Sequence, residues 1–153
     1  MPRRPLSTLL PKERALPITA RKRESDFWGQ LKTGLKQSQR KITATRLETW
    51  ATPGVPDVLL CDEKGLFHFI ELKATAGIAV DLRPHQVAWL SRHAHSSVWV
   101  LVLKLKTKND PEQLYVYPGG AAMDLKLEGL KVEPLYHAVT PTDWAFVLSL
   151  ITA

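Results

Sequence analysis

The stretch Asp57-Val58-Leu59-Leu60-Cys61-Asp62-Glu63-Lys64-Gly65-Leu66-Phe67-His68-Phe69-Ile70-Glu71-Leu72-Lys73 decides the fold. Asp57–Cys61 is a short apolar run. Asp62–Gly65 has the composition of a tight turn, and Leu66–Ala74 returns as a second extended arm. The stretch reads as a β-hairpin. Side chains alternate along a strand, so Glu71 and Lys73 share one face. Phe67 and Phe69 share it too, which predicts that this face is partly covered. Asp57 opens the neighbouring antiparallel strand, so the hairpin brings its carboxylate towards Glu71.

Upstream, Thr52–Pro56 reads as a turn, and Lys41–Trp50 alternates as a strand does. Before that, Phe27, Leu31 and Leu35 recur at helical spacing and predict a helix over 24–39. Residues 1–22 form a basic, Pro-punctuated segment, expected to be an extended, flexible arm. Residues 23–153 are then a single domain.

Downstream, Thr75–Asp81 reads as a loop, and Pro84 opens a helix expected to reach His95. Val98–Leu103 is continuously apolar, as a strand buried on both faces is. A further strand is expected at Leu114–Tyr117, a short helix over Gly120–Leu127 and a last amphipathic helix over 143–151. That last helix either closes the core or offers an interface. A helix crossing between two strands makes them parallel, so the fold class is α/β, with a central mixed β-sheet flanked by helices.

Charge is unevenly placed. Residues 1–46 carry twelve Lys or Arg against three acids, while the other 107 residues carry nine against twelve. A basic N-terminal third points to a polyanionic partner. One cysteine, Cys61, excludes an internal disulfide framework and a Cys-rich zinc site, and fits a reducing cytosol. The longest apolar runs are far shorter than the roughly 20 residues of a membrane helix, and the first residues lack a secretory apolar core. There is no phosphate-binding glycine loop, no H-E-x-x-H and no G-x-S-x-G.

Two acids and a lysine meeting on one sheet face suit a hard divalent cation, which accepts carboxylate oxygens and keeps waters. Pro56-Asp57, a hairpin and Glu71-Leu72-Lys73 resemble the PD-(D/E)xK nuclease signature. Gln86 lies in the following helix, where many members carry a Gln. Glu24 falls where the family places a first-helix acid. The chain is most similar to small phage-type Holliday junction resolvase-like and VRR-NUC-like nucleases over residues 24–103.

The resemblance implies a restriction-endonuclease-like core in the order α-β-β-β-α-β. It implies a deoxyribonuclease using Mg²⁺ or Mn²⁺, with no organic cofactor, working in the cytoplasm (the host's if phage-encoded). Asp57, Glu71 and the Leu72 carbonyl would hold the metal, with Glu24 serving a second ion or a water. Lys73 would orient or help deprotonate the attacking water, and Gln86 would position substrate or the lysine. Glu48 competes with Glu24 as the additional acid. Arg21, Lys22, Arg23, Lys32, Lys36, Arg40 and Lys41 are the expected nucleic-acid contacts. A junction-cutting reading implies a homodimer. The alternatives are a non-catalytic nucleic-acid-binding module and an accessory subunit on the same scaffold.

Overall fold

Residues 18–48 and 52–153 are described by a computed structural model, with side chains from residue 23 onward. Arg21 and Lys22 therefore lie outside the described side chains, and residues 1–17 and 49–51 outside the described chain. Helix α1 spans Ile18–Ser38. It begins immediately after Pro17, within the segment expected to be an extended arm, because no proline follows to interrupt it. Its stripe of Phe27, Leu31 and Leu35 is buried.

Strands β1 (Thr43–Arg46), β2 (Val58–Cys61) and β3 (Phe67–Thr75) form an antiparallel meander. β1 is shorter than its alternating pattern predicts. Helix α2 (Pro84–Arg92) crosses back, and β4 (Val98–Lys104) lies parallel to β3. Strand β5 (Gln113–Pro118), helix α3 (Ala122–Glu128), strand β6 (Tyr136–Val139) and helix α4 (Trp144–Ile151) complete the chain. Among the described residues the sheet has six strands in sequence order, and only the β3–β4 pair is parallel. Strand β6, which the sequence reading missed, is a four-residue edge strand with alternate residues exposed.

Helices cover both faces. Ile70, Leu72, Leu101 and Leu103 pack with Phe27, Leu31 and Leu35 of α1 and with Trp144, Val147, Leu148 and Ile151 of α4. Helix α4 thus closes the core. Val100 and Val102 pack on the other face with Val87 and Leu90 of α2 and Leu125 of α3. Strand β4 is buried on both sides, as its unbroken apolar run predicts.

The hairpin turn is fixed by Asp62. One carboxylate oxygen accepts from the Lys64 and Leu66 N–H groups, at 2.9 and 3.0 Å. The other lies 2.8 Å from Nε2 of buried His68, whose Nδ1 lies 2.6 Å from Ser97 Oγ. Trp99 Nε1 also donates to that hydroxyl, at 3.0 Å. The His68 hydrogen bond, helped by the two backbone N–H groups, holds the Asp62 carboxyl below its usual range. Asp62, His68 and Ser97 tie the turn to β3 and to the start of β4, at the end of β3 remote from Lys73.

Candidate active site

Register places the acids. Val58 pairs with Ile70, so one step along the ladder Asp57 stands opposite Glu71. The β1–β2 ladder also extends to this point, through the Leu47 N–H donating to the Asp57 carbonyl at 2.7 Å. Ile70 and Leu72 face α1 and α4, so Glu71 and Lys73 face the α2 side beside Val100 and Val102. Asp57 Oδ2 accepts weakly from the Leu72 N–H at 3.4 Å, which ties the start of β2 to the middle of Glu71-Leu72-Lys73.

Two helices supply the rest. Glu24 continues the buried stripe of α1 one turn before Phe27, and its Oε1 lies 3.9 Å from Lys73 Nζ. Glu71 Oε1 lies 3.6 Å from the same ammonium. From the first turn of α2, Gln86 Nε2 donates to Glu71 Oε1 at 2.9 Å. Its own Oε1 accepts the Arg83 N–H, also at 2.9 Å. That second bond fixes which end of the amide meets the carboxylate. Gln86 therefore orients Glu71 rather than Lys73. Asp57, Glu71, Lys73, Gln86 and Glu24 are all buried, none more than 8% exposed.

The loop before Asp57 is locked to the same helix. Gly54 has φ +96°, and a Cβ placed on it would lie 2.3 Å from the His85 carbonyl oxygen. The backbone contact holds the Asp57 loop against the residue next to Gln86.

Strand parity gives Glu48 the face of Arg46 and Ala44, opposite to Asp57, and Glu48 is exposed. Glu24, by contrast, is buried beside Lys73. Phe69 is covered by Trp89, edge-on at 5.3 Å, but Phe67 is 60% exposed at the hairpin end. His85, next to Gln86, is exposed. Partial burial, the Arg83 guanidinium and the Lys73 ammonium together push its imidazole below the ordinary value.

The expected nucleic-acid contacts divide. Arg23, Lys32, Lys36 and Lys41 are exposed, and Lys32 Nζ stands 5.4 Å from the centre of the Trp28 ring. Arg40 is engaged within the fold: its guanidinium forks onto Glu63 and donates to Thr152 Oγ1 at 3.0 Å.

Among the described residues, no three His, Cys, Asp or Glu converge as a ready-made metal cage. Mg²⁺ rarely uses one; it binds through one or two carboxylates and retains waters. Asp57 and Glu71, buried and joined through the Leu72 N–H that Asp57 accepts, offer carboxylate oxygens of the kind that suit a hard cation. No helix among the described residues is long and apolar enough to cross a membrane. The chain matches no family model, no curated protein and no solved structure.

Proposed function

We propose that this chain is a divalent-metal-dependent endonuclease that hydrolyses DNA phosphodiester bonds. The observation that carries the reading is that buried Asp57, one residue before β2, accepts from the Leu72 N–H between buried Glu71 and Lys73, whose ammonium lies 3.6 Å from Glu71 Oε1. Burying carboxylates this deeply is costly unless a cation compensates them. Lys73 supplies one cation. Asp57, Glu71 and the Leu72 carbonyl would hold Mg²⁺ or Mn²⁺, and Glu24 would hold a second ion or a water.

A bound divalent ion supplies Lewis acidity, polarising the phosphoryl oxygen and acidifying water. The chain's own residues do the rest. Lys73, held between Glu71 and Glu24, presents N–H donors that orient the attacking water and offset charge developing on the phosphoryl oxygens. Gln86 is a positioning residue: its fixed amide sets the rotamer of Glu71. Hydrolysis forms the new P–O bond from water and breaks the bond to the leaving sugar oxygen, which takes up a proton.

The basic flank of α1 supports DNA as the substrate. Lys32 and Lys36 lie about 12 and 18 Å along the helix axis from Glu24, a span of a few phosphates. Such contacts position a strand without reading its sequence. A branched substrate and a homodimer belong to the same proposal.

The test is cleavage of supercoiled, linear and four-way-junction DNA with Mg²⁺, with Mn²⁺ and with chelator. Asp57→Asn keeps side-chain size and Lys73→Arg keeps the charge, and melting of each variant checks the fold. Each should lower the metal-dependent rate by about 100-fold or more while DNA binding persists. Undiminished cleavage by both variants would overturn the assignment. Binding by the parent chain without any metal-dependent cut would favour a non-catalytic module.

A further inference from the structure

We propose that Arg83 receives a phosphate of the bound strand beside the scissile bond, forking its guanidinium onto the non-bridging oxygens at the first turn of α2. The inference rests on the nuclease reading for its substrate class.

Arg83 stands immediately before α2, and its backbone is one side chain away from the site. Its N–H donates to Gln86 Oε1, and Gln86 Nε2 donates to Glu71 Oε1. Its guanidinium is only partly engaged, through one long ion pair with Asp81. Among the described residues, the buried Nε has no hydrogen-bond partner. Asp81, more than half exposed, lies 3.6 Å from Nη2, too far for a hydrogen bond. A buried N–H without an acceptor is costly, and native structures keep such a group where something else completes it. Arg40 makes the contrast, its fork filled by Glu63 and Thr152.

The surroundings favour an anion. The first turn of α2 carries no acid, and the helix dipole places positive charge there. His85 follows Arg83 by two residues, and both Arg83 and Lys73 are close enough to act on its ring. Arg83 and Lys73 form a cationic pair beside the buried acids. A phosphodiester approaching Glu71 meets it, and the planar fork of Arg83 matches two phosphate oxygens as an ammonium cannot. Asp81 would be exchanged for the phosphate on binding.

The experiment measures binding of a fluorescein-labelled duplex and a single strand by anisotropy, with Ca²⁺ and with varied salt. It compares the full chain with Arg83→Gln and Arg83→Lys, checks melting of each, and measures cleavage in Mg²⁺. Arg83→Gln should weaken binding about tenfold and reduce the salt slope by about 0.9 on duplex or about 0.7 on single strand. Arg83→Lys should keep the slope but recover only part of the affinity. It also keeps the Asp81 pair, so it decides the matter through affinity if Arg83→Gln melts early. Unchanged affinity and slope in Arg83→Gln overturn the phosphate contact while leaving the nuclease reading intact. An Arg83-dependent slope in a chain that never cuts upholds the contact and removes the nuclease reading. A chain that binds no DNA overturns both.

Discussion

Replacing Gly54 by alanine tests the lock between the Asp57 loop and helix α2. Two costs add. The backbone at φ +96° is one that an L-residue adopts at about 1–2 kcal/mol. The new methyl would lie 2.3 Å from the His85 carbonyl oxygen and 2.8 Å from its carbon, so loop and helix must part by about 1 Å. Overpacking of that kind costs about 1–3 kcal/mol. Together they predict a loss of about 2–5 kcal/mol, seen as a fall in Tm of about 4–20 °C.

Two other glycines separate the costs. Gly65 has φ +81° but open space around it, so Gly65→Ala carries the backbone cost alone, about 1–2 kcal/mol. Gly77 has neither constraint, so Gly77→Ala should be neutral or stabilise by up to about 1 kcal/mol. Thermal unfolding of the three variants, followed by circular dichroism, gives the comparison. If the fold tolerates Gly54→Ala, a 1 Å shift between Asp57 and the Gln86–Glu71 pair should cost about 100-fold in cleavage rate. Equal Tm shifts for Gly54→Ala and Gly65→Ala would refute the claimed contact with α2.

Two pH predictions follow from the hydrogen bonding. Asp62 is held below the usual carboxylate range, so its contribution is present above the unfolded value of 3.8 and is lost as pH falls through the lower folded value. Asp62→Asn should therefore flatten the acid limb of Tm against pH, and an unaltered limb would dismiss the staple. Tyr117 is buried, donates to the Val132 carbonyl at 2.8 Å, and has its phenol pushed up to about 12. Stability should fall as pH rises from 10 towards that value. An ultraviolet titration should show an ionisation near pH 12 that Tyr117→Phe lacks.

The hairpin was legible because its signals are local. Asp62–Gly65 turns the chain, and strand parity alone sets Glu71 and Lys73 on one face. Strand β4 and helix α2 were legible for the same reason, one from an unbroken apolar run and the other from Pro84. Strand β6 was not, since four half-exposed residues paired on one side carry little pattern. Neither was the start of α1, because its basic composition masked a helix that begins once the prolines end. That Glu24 lies buried beside Lys73 while Glu48 is exposed depends on tertiary packing, which no local signal supplies. Nor does local sequence join Asp62, His68 and Ser97, brought together from the hairpin turn, β3 and the residue before β4.

Topology explains why the site forms where it does. A meander alone would bring Asp57 to Glu71 and stop there. The one parallel pair, β3 with β4, forces the chain to cross over the sheet before β4 begins. That crossover returns the first turn of α2 to the C-terminal half of β3, so Gln86 and Arg83 arrive at Glu71 as a consequence of strand direction. Helix α1 packs on the opposite face and still contributes, because its buried stripe ends in Glu24 rather than in another apolar residue. The polar groups thus gather at the end of β3 where a crossover helix begins, the place where open α/β sheets hold their ligands. The hydrophobic pattern builds the sheet, and the hairpin, the parallel crossover and the end of the α1 stripe together gather five buried polar side chains.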